Sequence, residues 1–237
     1  MAKAKRSYER MTVINRISTK WNHFAQASNN TRAAVELSRL GLPYMPWSDA
    51  SLLPSALQVV LNEIEINARK TVVEFGSGIS TIYIAQILSR LGGRIVSFET
   101  DAEWATFVEN RLSALNLSEF ATVVRAPLGP CTLSKNGLNW YNQAIVATAV
   151  QDLSVDCVVV DGPPAYKTGY ELARYPALPA LEANLAQDYV VFLDDIHRLG
   201  EQEILRLWTD LFGIEFLSYF SKGNIARGVH GVAHFTV

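Results

Sequence analysis

T-V-V-E-F-G-S-G-I-S-T, residues Thr71 to Thr81, decides how the rest of the chain is read. Val72 and Val73 open an apolar, β-branched run that ends in an acid, Glu74. Gly76-Ser77-Gly78 follows, and then Ile79 to Leu91 carries Ile82, Ala85, Ile87 and Leu88 at helical spacing. The pattern predicts a strand, a tight turn and a helix. Glycines in such a turn let backbone approach a ligand that a side chain would hit. A dinucleotide fingerprint would place a third small residue where Thr81 stands. An acid at the strand end, before the glycines, suits a ligand ammonium group better than a pyrophosphate. Gly76, Ser77, Gly78 and Ser80 are the candidate loop contacts, with Glu74 beside them. An ordinary βα turn, with glycine for tightness alone, is the plainer alternative.

Downstream, strands and helical segments alternate. Arg94 to Phe98 ends at Glu99, and Ala102 to Leu115 is helical, with Trp104, Phe107, Val108 and Leu112 on one side. Ala121 to Arg125, Val155 to Val160 and Tyr189 to Leu193 are further strands, and about Arg198 to Leu211 is the last helix. V-D-C-V-V-V and Y-V-V-F-L lack polar alternation, as strands buried on both faces do. Strands separated by helices imply parallel, right-handed βαβ units. Ile214 to Phe220 and Gly231 to Val237 read as a closing antiparallel hairpin. Upstream, Thr31 is placed to cap a helix that Gly41 ends, and a second helix spans Ser55 to Asn67. Between them L-P-Y-M-P-W-S-D-A-S-L-L-P, residues 42 to 54, carries Tyr44, Met45 and Trp47, either as a substrate-side wall or as packing. Residues 1–69 are thus expected to form a helical extension with a substrate-side loop, and residues 70–237 the main, ligand-binding domain.

The bulk properties exclude several classes. The 237 residues are 49% hydrophobic and 19% charged, with a formal net charge of −2. That suits one α/β domain with an appendage and gives no global basic footprint for nucleic acid. Lys3, Lys5 and Arg6 read as a solvated tail, with no apolar segment behind them to make a signal peptide. Cys131 and Cys157 make neither a disulfide framework nor a zinc cluster. With no run of ~18 apolar residues, the expectation is a cytoplasmic protein without membrane or nucleic-acid partners. Homo-oligomer formation stays open.

In an open α/β sheet, ligands sit beyond the carboxyl ends of the strands. Glu99 is placed there to accept ribose hydroxyls, or to sit as an acid near a helix start. The loop from Arg125 and Ala126 is placed to flank an adenine. The fourth strand ends in Asp161-Gly162-Pro163-Pro164 and the fifth in Asp194-Asp195-Ile196-His197-Arg198. Three clustered carboxylates need a compensating charge. A divalent cation with oxygen preference, Mg²⁺ above all, supplies one and can acidify a substrate hydroxyl. One of the pair Asp194-Asp195 would otherwise cap the next helix.

These strand-end acids, with G-S-G after the first strand, resemble the class I S-adenosylmethionine (SAM) methyltransferases, covering about Val72 to Val237. The acids after the fourth and fifth strands resemble those of the metal-dependent O-methyltransferases, whose catechol type has Asp-Asn after the fifth strand and whose macrocin type has the Asp-Asp found here. The resemblance implies a Rossmann-like, seven-stranded, mostly parallel sheet with a C-terminal antiparallel hairpin and helices on both faces. It implies SAM as cofactor and Asp161, Asp194 and Asp195 as ligands of a divalent ion, with a small sugar- or phenol-like hydroxyl as acceptor. The family's base is missing, since Pro163 and Pro164 occupy its two expected positions. Besides Asp161, which borders both cofactor and metal, Lys167 and His197 are the nearby candidates. Tyr166, Lys167, Arg174 and Tyr175 are placed to grip an acceptor, or Tyr175 and Pro176 to pack against a following helix, Leu178 to Ala186. Lys135 to Trp140 is placed to form a second flap. Metal-independent transfer, a non-catalytic SAM-binding subunit, and an aminopropyl transferase or nicotinamide dehydrogenase are the competing readings.

Overall fold

The computed structural model describes residues 23–233. The basic tail and the end of the expected hairpin, residues 234–237, lie outside them. The elements run α1 (residues 23–38), α2 (Pro54–Ile66), β1 (Thr71–Phe75), α3 (Ile79–Leu91), β2 (Arg94–Glu99), α4 (Ala102–Ala114) and β3 (Ala121–Arg125). Then come β4 (Leu128–Pro130), β5 (Asn139–Tyr141), α5 (Gln143–Val150), β6 (Val155–Val160), β7 (Leu185–Leu193), α6 (Leu199–Phe212), β8 (Phe216–Tyr219) and β9 (Ile225–His230). The main sheet has seven strands in the order β3-β2-β1-β6-β7-β9-β8. The first five are parallel, and β9 is antiparallel to both of its neighbours. This is the expected Rossmann-like architecture. β4 and β5 form a separate two-stranded ribbon.

Strand alternation sorts side chains between two cores. Val72, Cys157, Val159, Val190 and Phe192 face one side, under α2, α3 and α4. Val73, Phe75, Val158, Val160, Val191 and Leu193 face the other, where α5 and α6 pack. Both faces are covered, which is why the central strands carry no polar alternation. The extension shares the first of these cores. Leu37, Met45, Leu52, Leu57 and Ile64 are buried with the strand side chains. Met45 therefore packs inward, the packing role read for the segment, while Tyr44 is exposed.

Four expectations are corrected. Helix α1 runs through Thr31, whose hydroxyl donates to the Ala27 carbonyl four residues back instead of capping. The strand pairing with β8 is Ile225–His230, inside the stretch read as the hairpin turn, and not Gly231 to Val237. It also lies within the sheet, leaving β8 at the edge. The helix expected over Leu178 to Ala186 is a 3₁₀ turn, Pro179–Asn184, leading directly into β7. Leu185 already pairs with Val155 of β6, so the end of the segment belongs to the sheet.

Candidate active site

The turn after β1 is held shut from beneath. Gly76 has φ 100°, and a Cβ there would stand 3.1 Å from the Gly162 nitrogen in the turn after β6. Only glycine fits so close an approach at that dihedral. The three amides of the turn all point inward. Gly76 N–H donates to the Phe98 carbonyl at 2.9 Å, Ser77 N–H to Glu99 at 3.2 Å, and Gly78 N–H to the Thr81 hydroxyl at 2.9 Å. The Trp104 indole N–H closes the set by donating to the Ser77 carbonyl at 2.8 Å. These amides are therefore not free to cradle a phosphate. Gly78 itself is extended, with φ −178°, and a Cβ there would meet only the Ser80 hydroxyl, at 4.0 Å.

Glu74 is enclosed under this turn. It is fully buried, and its carboxylate accepts from the hydroxyls of Ser80, Thr81 and Ser97. Ser97 reaches it because the β1–β2 register sets the two residues side by side. Burial raises the Glu74 carboxyl from 4.5 to about 7, against the pull of the three hydroxyls, while the Asp161 charge adds to the rise. The sequence reading set Glu74 beside a ligand ammonium and Ser80 among the loop contacts; here the two bond to each other and brace the turn. Thr81, the departure from the dinucleotide fingerprint, is the pivot that links Gly78 N–H to Glu74. Glu99 is buried at the rim and also serves the frame, accepting from Ser77, Thr100 and Asp101 amides.

Beyond β6 and β7 the expected acids do converge. Carboxylate oxygens of Asp161, Asp194 and Asp195 all lie within 4.8 Å of one another. Asp195 holds a left-handed backbone, φ 63°, a conformation Asp tolerates better than most residues. Burial pushes the Asp161 carboxyl upward, Arg174 opposes this, and Asp195 adds to it. Asp194 is driven further up by burial and by the Asp161 and Asp195 charges.

The cluster has a cation of its own. The Arg174 Nη2 lies 3.3 Å from Asp161 and 3.0 Å from Asp195. Its Nη1 donates to the Asp194 carbonyl and its Nε to the Pro163 carbonyl. Arg198 adds a second guanidinium, 2.8 Å from Asp195. Sequence reasoning had placed Arg174 at the mouth, ready for an acceptor; it is buried. Nothing in the local pattern around Arg174 tells a surface arginine from this one.

The remaining candidates scatter. Arg125 makes an exposed ion pair with Glu109 at 2.6 Å on the outside of α4. Ala126 is buried, and its amide donates to the Glu99 carbonyl. His197 is half exposed, with Nδ1 4.0 Å from Asp195. Lys167 is exposed, its ammonium over the Tyr166 ring. Tyr175 is buried, and its carbonyl accepts from the Trp208 indole. In the segment read as a second flap, Trp140 is fully buried. Tyr141, which no motif had singled out, puts its hydroxyl where a Cβ on Gly162 would be.

Residues 73–196, just over half of the chain, match the family described as a methyltransferase domain. The chain belongs to that methyltransferase family. No curated protein matches it in sequence. Among solved structures, a candidate caffeoyl-CoA O-methyltransferase from Staphylococcus aureus aligns with TM-score 0.59 at 13% identity, covering 79% of this chain and 86% of that one. An O-methyltransferase from Bacillus cereus, in complex with SAH, gives 0.54 at 19%, over 85% and 90%. The O-methyltransferase TomG from Streptomyces achromogenes, in complex with SAM, gives 0.53 at 17%, over 86% and 90%. At these identities the likeness is one of fold.

Within this methyltransferase frame the two expected ligands fare differently. A cationic donor fits a turn whose amides face inward and whose Gly78 has room for a side chain. A divalent ion fits less well. The carboxylates have the right chemistry, but one oxygen each of Asp161 and Asp195 already faces a buried guanidinium.

Proposed function

We propose that this methyltransferase takes the methyl group of SAM and transfers it to a hydroxyl of a small molecule, sugar- or phenol-like. The observation that carries the reading is the inward turn of the Gly76, Ser77 and Gly78 amides. It supports a cationic donor over the pyrophosphate of a nicotinamide cofactor. SAM supplies an electrophilic methyl group. Gly76, Ser77 and Gly78 would border its amino-acid end, Glu99 its ribose, and Ala126 its base. Glu74 and Ser80 act through the turn they brace. Asp161, at the junction of turn and cluster, is placed to orient the acceptor and take its proton. His197 and Lys167 line the exposed approach.

Residues 1–69 then serve as an extension of this domain. Among the described residues no helix is long and apolar enough to cross a membrane, which supports a cytoplasmic enzyme with small-molecule partners. The metal-assisted version of the reaction draws its support from the three converging carboxylates and loses it to Arg174. A non-catalytic SAM-binding subunit draws support from the two prolines, Pro163 and Pro164, where the family's base would stand.

A methyl-transfer screen across small hydroxyl compounds tests the reading, with Asp161→Asn as control. We expect methyl ether formation by the wild type and a loss of turnover of about 10²-fold or more in the variant, with SAM binding kept. Tight SAM binding with no product from any acceptor would favour the non-catalytic subunit.

A further inference from the structure

We infer that Arg174 is the resident cation of the strand-end acidic cluster and that the protein works without a divalent metal there. The inference rests on the methyl-transfer reading for what the cluster serves, but not for what balances its charge.

The guanidinium is built in on every side. Arg174 is 3% exposed. Its Nη2 stands between Asp161 and Asp195, at 3.3 and 3.0 Å. Two main-chain carbonyls, Pro163 and Asp194, accept from Nε and Nη1 at 3.2 and 3.3 Å. Behind them Glu201, 1% exposed, lies 3.8 Å from Nη1. These acceptors come from the turn after β6, the end of β7 and the first turn of α6. Arg174 is therefore a positioning residue that ties three elements together at the catalytic rim.

That arrangement competes directly with an ion. Mg²⁺ needs near-octahedral oxygen ligands at about 2.0–2.1 Å. Asp161, Asp194 and Asp195 would have to supply them, yet one oxygen each of Asp161 and Asp195 is engaged by Nη2. The planar fork cannot be deprotonated and cannot swing aside without abandoning two buried carbonyls and Glu201. Arg198 reaches the same Asp195 oxygen, Oδ2, at 2.8 Å. A neutral side chain at position 174 would free Asp161, leave Asp195 to Arg198 alone, and leave an acidic pocket short of positive charge.

The test is Mn²⁺ alone, titrated into the full chain by calorimetry and by electron paramagnetic resonance, for wild type, Arg174→Met and Arg174→Lys. We expect no saturable Mn²⁺ site in the wild type and an unchanged melting temperature with or without chelator. Arg174→Met should gain one site per chain and melt higher with Mn²⁺ than without, while Arg174→Lys should behave as the wild type. One saturable Mn²⁺ site in the wild type, removed by Asp194→Asn, would overturn the inference; so would a folded Arg174→Met that gains none. Should Arg174→Met fail to fold, the wild-type titration alone decides. SAM binding, measured separately, would fail on its own if the proposed function were wrong and leave the Mn²⁺ result standing.

Discussion

The sharpest single-residue consequence lies at Glu74. An acid in a fully apolar shell would hold its proton, yet three hydroxyls donate to this one. The balance leaves its folded pKa at about 7 against an ordinary 4.5. A carboxyl raised on folding binds more protons in the folded chain than in the unfolded one. Its stabilising contribution is full below about pH 4.5 and is lost as the pH rises through about 7. The stability of wild type relative to Glu74→Gln should therefore fall across that window, by on the order of 3 kcal/mol, and level off above it. Urea melts of both proteins at several pH values measure this. Parallel profiles would mean the carboxyl titrates as it does in the unfolded chain. This residue was legible from sequence as special, but its partners were not. Ser80 and Thr81 are close in the chain, whereas Ser97 arrives only through the β1–β2 register.

At the scale of elements, α2 and β9 are joined by a buried charge pair. Glu63 on α2 is fully buried between Arg69 and Arg227, at 3.0 and 2.6 Å. Arg69 also donates to the Asp188 carbonyl on β7. Removing the acid leaves two guanidiniums without their partner. Glu63→Ala should cost about 3–5 kcal/mol in a denaturant melt, with little change in SAM affinity. A loss under 1 kcal/mol would show that water reaches the pair and makes good the loss. The same pair explains why β9 was misread. I-A-R-G-V-H has a charge and a glycine where a buried strand should be apolar. Arg227 is admitted because Glu63, 164 positions earlier, neutralises it. Gly228 is needed because a Cβ there would run into Phe216 and Ile214. Both causes are tertiary, so no window of sequence contains them. The parallel strands needed no such help; their apolar runs are decided by burial on both faces.

Across the whole molecule, the fold sets strand ends, turns and acids on one rim. The sequence showed that rim because each strand closes on a distinctive residue: Glu74-Phe75, Glu99, Asp161, Asp194. What it concealed was which groups face out. Glu74 and the turn's amides are turned inward, and Arg174 reaches in from a loop that reads as surface. Charge balance at such a rim depends on a residue 13 positions from Asp161 and on carbonyls with no side-chain signature. The account's central claim is that a cationic methyl donor lies above the outward side of Gly78. Calorimetric titration of SAM into wild type and Gly78→Arg tests it most directly, since the extended backbone at Gly78 accepts any side chain and there is room for one. We predict one SAM per wild-type chain, no heat of binding in Gly78→Arg at an unchanged melting temperature, and none with NAD for either protein. Equal SAM binding by both proteins, or none by the wild type, would contradict the account.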